Sequence, residues 1–180
     1  EHMGILALGL GLGAPALFGT LLHVAANGLA KGVLFLAAGN IHRAYGSKHT
    51  DEVGGAIRLL PLSGILFLGG FLAITGSPPF APFVSLFAIL TAAVDNGHPR
   101  VAGLFLVLLL VIFIGMGVTV LRVVQGRPAP AARRQPYRDG LLTGAPLLGL
   151  ALLVLLLGLH IPGPLDTLLG EAAAILEGHP

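Results

Sequence analysis

The sequence contains no cysteine. Without thiols it can build no disulfide framework, no thiolate metal site and no thiolate-held iron–sulfur cluster, and its seven histidines are scattered rather than set at metal-ligand spacing. Redox chemistry by the chain itself is disfavoured, and neither a metal nor a cofactor is expected. Charge is scarce too, at 10% of residues. No basic surface with interleaved aromatics is visible, which argues against nucleic acid as a partner. A Walker sequence, a GxGxxG opening a helix, HExxH and GxSxG are all missing, so motif-based enzyme classes lack support. Within the long apolar stretches there is no Asp or Glu at all.

What fills the chain is apolar: 55% of residues are hydrophobic and the mean hydropathy is +0.92. Those values lie outside the range of a water-soluble domain and indicate an integral membrane protein. The net charge of +2 comes mostly from arginines near the ends of apolar stretches, which read as topology and headgroup anchors. The chain opens Glu1-His2-Met3-Gly4 and runs straight into an apolar segment, with no charged leader or cleavage motif. It is read as part of a longer protein, the C-terminal half of a bundle.

Measured against the roughly 20 residues that span about 30 Å of hydrocarbon, about six hydrophobic segments are predicted. They cover Met3 to Gly13, Pro15 to Ile41, Ile57 to Gly76, Phe80 to Val94, Val101 to Val124 and Leu141 to Ile161. The expected fold is all-α: a polytopic transmembrane helix bundle over residues 1–161, followed by a short interfacial helix and tail over 162–180. Between the third and fourth segments stand Gly76-Ser77-Pro78-Pro79. Two prolines remove two amide donors and force the preceding residue out of the α region, so Ser77, Pro78 and Pro79 predict a broken membrane helix that resumes through Ser85. The other reading is a tight turn between two spans.

Two basic loops frame the bundle. His42 to Glu52 carries Arg43 and Lys48, with Arg58 just beyond, and Gly126 to Gly140 holds Arg127, Arg133, Arg134 and Arg138 with Pro128, Pro130 and Pro136. Counted as three, the crossings between them would put the loops on opposite sides. The positive-inside rule then leaves the orientation open, with the richer linker weighted as cytoplasmic.

One cation is out of place. Lys31 sits in the middle of the second segment, about 15 Å from either end at 1.5 Å per residue, too far for easy snorkelling. An ammonium at that depth costs at least about 2.5–3.5 kcal/mol and marks an ion or proton pathway by default. His23, Asn27 and Lys31 stand at i, i+4 and i+8, one helix face with a drift of about 80°. Waters could join them into a hydrogen-bonded row, and histidine is the side chain whose ordinary titration lies near neutrality. The alternative is that His23 only hydrogen-bonds between helices. His2 could belong to the same polar layer or be merely interfacial, while His42, His49, His98, His160 and His179 lie at boundaries and carry no assigned role.

Taken in order, several of these pieces resemble a known family. Glu1-His2-Met3-Gly4-Ile5, Leu29-Ala30-Lys31, Phe35-Leu36-Ala37-Ala38-Gly39-Asn40, the Val53-Gly54-Gly55 approach to Pro61, and Gly76-Ser77-Pro78-Pro79-Phe80 with Phe83-Val84-Ser85 are similar to the antiporter-like membrane subunits of complex I. Most similar are those of membrane-bound nickel–iron hydrogenases of the formate hydrogenlyase type. The resemblance implies a two-repeat helical bundle with a central polar axis that conducts protons, coupled to a redox arm in other subunits. It also implies that Lys31 is the mid-membrane lysine and His23 the histidine two turns before it. Two positions depart: Asn27 stands where such subunits commonly carry a second histidine, and Leu86 where they carry Glu or Lys.

The leading expectation is a non-catalytic membrane subunit that takes part in proton translocation within a hydrogenase or NADH:quinone oxidoreductase-like complex, in a bacterial or archaeal cell membrane. Lys31, His23 and Asn27 would be relay residues, and the partners would be other membrane subunits, protons and the lipid bilayer. The alternatives are a non-conducting scaffold, for which Leu86 and Asn27 speak, and a multisubunit cation/proton antiporter or inorganic-carbon uptake subunit.

Overall fold

The computed structural model describes residues 1–127 and 137–178; Pro128, Pro130, Arg133, Arg134, Pro136 and His179 lie outside the described residues. Glycine and proline punctuate the helices. α1 (His2–Gly11) ends at a turn in which Gly13 takes φ +74°, a left-handed conformation that costs glycine little. α2 (Ala14–Tyr45) carries Pro15 in its first turn, where a missing amide goes unnoticed, and stops at Gly46 with φ +69°. Its 32 residues rise about 48 Å, well beyond the roughly 30 Å of hydrocarbon, so its ends reach past the apolar layer.

The apolar run expected as one helix from Ile57 to Gly76 is divided. α3 (Ala56–Leu59) is a single turn, Leu60 adopts φ −131° and ψ 77°, and α4 (Pro61–Ile74) restarts with proline. The reason is local, since Pro61 pushes the residue before it out of the α region. α5 (Ala81–Asp95), α6 (Pro99–Gln125), α7 (Leu141–Leu159) and α8 (Gly163–Leu176) complete the order. Among the described residues all regular structure is helical, and α2, α6 and α7 are long and apolar enough to cross a membrane.

α4 and α5 are each too short to cross alone, and their packing on α2 shows what they are. Ser63 meets Asn40, Gly70 meets Leu34, Ser85 meets His23, and Gly19 meets Ala88 and Ile89. As the chain advances along α4 and α5, its partners recede steadily along α2. The two pieces therefore form one interrupted span, antiparallel to α2, with the non-helical residues Thr75–Phe80 between them. Gly76 takes φ +74° and the Pro78–Pro79 bond is cis. α7 closes over the break: a Cβ at Gly158 would lie 2.5 Å from Phe80 C and 2.6 Å from Ala81 N, so only glycine permits this approach.

Because α4 and α5 make a single crossing, two crossings and not three separate the basic loops, and both loops lie on one side. Their contacts agree. The Tyr45 hydroxyl donates to Gly54 O at 2.6 Å, Arg127 O packs on Gly54, Arg122 lies 4.0 Å from Asp51, and the Arg43 guanidinium stands 5.9 Å from the Tyr137 ring centroid. The question that the sequence left open, because it counted each half of the broken span as a candidate crossing, is thus answered in favour of one side.

The core forms where α2 meets the break. Ala26, Ala30 and Leu34 pack with Phe71, Ile74 and Ala81, and with Val124 and Val154 from α6 and α7. Alanines on α2 let backbones approach closely, the usual solution where lipid removes the hydrophobic drive for helix association. On α6, Leu104, Val107, Leu108, Val111 and Ile114 are exposed, an outer face suited to lipid or to a neighbouring membrane segment. The tail is docked rather than free: α8 packs on α2 and buries Leu169 and Ala173.

Candidate functional site: a histidine–serine row beside the break

α1 folds back on α2, and a Cβ at Gly9 would collide with the Thr20 side chain. That tight hairpin carries His2, at the start of α1, to the flank of His23. His2 Nδ1 lies 3.3 Å from His23 Nε2, with ring centroids 5.5 Å apart and planes tilted by 38°. On its other side His23 Nδ1 lies 2.8 Å from Ser85 Oγ, and the Ser85 hydroxyl reaches Pro82 O, also at 2.8 Å. His23 and Ser85 are fully buried and His2 is nearly so.

Both ring nitrogens of a neutral imidazole are satisfied here in either of two orders. In the first, Ser85 donates to Pro82 O and accepts from His23 Nδ1–H, while His23 Nε2 accepts from His2 Nδ1–H. In the second, Ser85 donates to His23 Nδ1 and His23 Nε2–H donates to His2 Nδ1. The orders differ in the tautomer of each ring and in the direction in which the Ser85 hydroxyl points.

Asn27 and Lys31 continue along α2 at four-residue intervals, at the level of the break. Asn27 is 8% exposed, and its Oδ1 is buried with no hydrogen-bond partner. Lys31 is half-buried and makes neither a hydrogen bond nor an ion pair among the described residues. On α2 it stands two helical turns, about 12 Å, beyond His23.

The structure therefore brings together only part of what the sequence singled out. His23 and Ser85, named separately as a relay residue and a broken-helix residue, are direct partners. Asn27 bonds to neither His23 nor Lys31, so the stripe is not joined by direct side-chain bonds. His2, which the sequence left between a polar layer and an interface, is a member of the row; a histidine opening an apolar segment was the available signal. Leu86 lies one residue past Ser85 in an apolar cluster with Ile5, Ile89 and Phe105. Ser77, Pro78 and Pro79 form the break itself. Among the described residues no three His, Asp or Glu side chains come together as a metal-binding group.

An interrupted span packed along a long helix, with a buried histidine–serine row and a lysine beside the break, defines a multi-pass helical membrane protein of antiporter-like architecture. Residues 1–117 match the family model described as NADH:quinone oxidoreductase/Mrp antiporter, TM. The chain belongs to that family. It is 32% identical over 164 residues to a hydrogenase-4 component F homolog of Methylacidiphilum infernorum, covering 90% of this chain and 33% of the relative. It is 31% identical over 140 residues to NADH-quinone oxidoreductase subunit N of Desulforudis audaxviator, covering 74% and 27%. To a Na(+)/H(+) antiporter subunit of Alkalihalophilus pseudofirmus it is 26% identical over 159 residues, covering 88% and 32%. Among solved structures the Mrp complex from Dietzia sp. superposes with a TM-score of 0.84 at 25% identity, over 98% of this chain and 41% of the matched one. The chain spans about a third of the length of these curated relatives.

Proposed function

We propose that this chain is part of a proton-translocating membrane subunit that works within a larger assembly of membrane subunits of the hydrogenase or NADH:quinone oxidoreductase type. The observation that carries the reading is the His2–His23–Ser85 row, three side chains buried at the break and compatible with either tautomer of each ring. Lys31 stands two helical turns further along α2, and Asn27 between them offers an unsatisfied oxygen that a water could bridge. Residues 1–161 are the C-terminal half of the subunit's bundle in this reading, and 162–180 its peripheral tail.

Orientation follows from the shared side of the two loops. Arg43, Lys48, Arg58, Arg122, Arg127 and Arg138 gather there with Asp51, Glu52 and Asp139, whereas Arg100 lies toward the other end with Asp95, Asp166, Glu171 and Glu177. The positive-inside rule assigns the basic side to the cytoplasm of a bacterial or archaeal cell.

A scaffold role is the second reading, favoured by the apolar packing of Leu86 where an ionisable residue is expected. Proton pumping by vesicles containing the assembled complex separates the two, with Lys31→Ala and His23→Ala compared against the native chain at equal assembly on a native gel. Loss of pumping with intact assembly supports conduction; unchanged pumping in both variants supports the scaffold. Repeating the measurement with and without sodium tests a cation/proton antiporter of the kind named among the relatives.

A further inference from the structure

Asp139 joins the heads of two helices. Its Oδ1 accepts the Ser63 hydroxyl at 2.6 Å and its Oδ2 accepts the Ser63 amide at 3.1 Å, in the first turn of α4. Along the chain it stands immediately before Gly140, the N-cap of α7, so one carboxylate serves the positive ends of both helix dipoles. The joint is buttressed from α2. Ser63, fully buried, also accepts from Asn40 Nδ2 at 3.1 Å, and the Tyr137 hydroxyl donates to Asn40 Oδ1 at 2.8 Å. None of these residues belongs to the row at the break.

α4 and α7 run in the same direction and meet at their ends. Near the heads a Cβ at Gly144 would collide with the Leu62 side chain, and at the foot of α7 Gly158 presses on the backbone of Phe80 and Ala81. Between these contacts the two helices stand apart around an apolar cleft of about 240 Å³, with Ile65, Gly69 and Ala73 on one wall and Leu148 and Leu152 on the other. On α2, Leu150 rests on Gly32, which offers it no side chain to interlock with. The axial position of α7 is therefore set chiefly at its two ends. Its 19 residues make a rod of about 28 Å, and a close-packed helix transmits a displacement rather than absorbing it. The foot of this rod bears on the row, because Ala81 opens α5 and Ser85 follows one turn later, 2.8 Å from His23.

We infer that α7 is a brace for the interruption and that Asp139 is a positioning residue for the His23–Ser85 contact. Held to Ser63, Asp139 keeps the head of α7 level with that of α4, so that Gly158 meets Phe80 and Ala81 in the register that seats Ser85 against His23. What the row carries rests on the proton-path reading above; the brace does not.

The assembled complex in vesicles tests both parts. In Asp139→Ala, amide hydrogen exchange should quicken about tenfold at residues 76–85 as well as beside Ser63, while the far half of α5, residues 89–95, keeps its native rate. The break lies about 20 Å from Ser63 along α4, so loss of a cap alone would quicken only the residues near Ser63, and general destabilisation would quicken all three regions. Either of those results overturns the brace. Pumping gives the second reading. Asp139→Ala and Gly158→Ala should each lower it at equal assembly on a native gel. The Gly158→Ala clash arises because α7 is held at its head, and releasing the head lets the rod retreat. The double variant should therefore pump at least as well as Gly158→Ala alone. Losses that multiply mark two independent defects and overturn the proposal, as does native pumping by Asp139→Ala where His23→Ala abolishes it. If exchange responds as expected while His23→Ala pumps at the native rate, the proton-path reading fails and the brace stands.

Discussion

His23 Nδ1 and Ser85 Oγ lie 2.8 Å apart and 62 positions apart in the sequence, and through them the second half of the broken span is held to the centre of α2. The bond has a structural and a chemical consequence. It fixes the register of α5 on α2, and it orients the imidazole so that its other nitrogen faces His2.

Ser85→Ala should therefore be felt twice. Removing the hydroxyl leaves a fully buried His23 nitrogen without a partner, at a cost of about 1–3 kcal/mol, and it opens one end of the row. Thermal denaturation of the solubilised complex should show a lowered midpoint, and vesicle pumping should fall even in preparations assembled to native levels. Pumping at the native rate would remove Ser85 from the path.

Asp139 accepts the amide of Ser63 in the first turn of α4, a capping contact made from a distant loop. A carboxylate there satisfies an orphan helix donor and faces the positive end of the helix dipole. Asp139→Ala should cost about 0.5–2 kcal/mol, the usual range for a lost cap. Melting curves of the complex check this, and Asp139→Asn, whose carboxamide has a single acceptor oxygen, should keep one of the two bonds and lose less than the alanine variant.

Two glycines of α7 should behave oppositely. Gly158→Ala drives a Cβ into the backbone of Phe80 and Ala81, which has no side-chain freedom with which to yield, and overpacking of this kind costs about 1–3 kcal/mol. Gly149 has nothing within 4 Å of the same added atom, so Gly149→Ala should be neutral or gain up to about 1 kcal/mol of helix propensity. Yield of assembled complex and its melting midpoint distinguish the pair.

Leu86→Lys restores the residue type that the family resemblance implies at that position, into a pocket that does not suit it. Leu86 is 6% exposed and packs with Ile5, Ile89 and Phe105, with its end pressed against Gly76. An ammonium there should cost about 2.5–3.5 kcal/mol, whereas Leu86→Met, which keeps volume and polarity, should stay under about 1.5 kcal/mol. Increased pumping in a well-assembled Leu86→Lys protein would show instead that the site still opens onto the path.

The helices and the break are legible along the chain because their causes are local. Hydropathy marks the spans, Pro78 and Pro79 mark the interruption, and a charge at Lys31 stands out against apolar neighbours whatever the fold. The division at Leu60 is hidden although its cause is equally local, because the apolar run through Pro61 dominates the pattern. Ser63, Asn40, Tyr137 and Asp139 escape notice for another reason: each is an ordinary polar residue on its own, and only their meeting gives them significance.

By itself, then, the sequence determined that this protein lives in a membrane, where most of its helices begin and end, and which cation stands inside an apolar span. Those follow from transfer free energies and from backbone rules that act over a few residues. Tertiary structure alone decided that α4 and α5 share one crossing, that both basic loops therefore face one side, and that His23 turns to His2 and Ser85 rather than to Asn27. Such choices depend on which side chains meet across helices distant in sequence, and spacing along a single helix does not encode its partners.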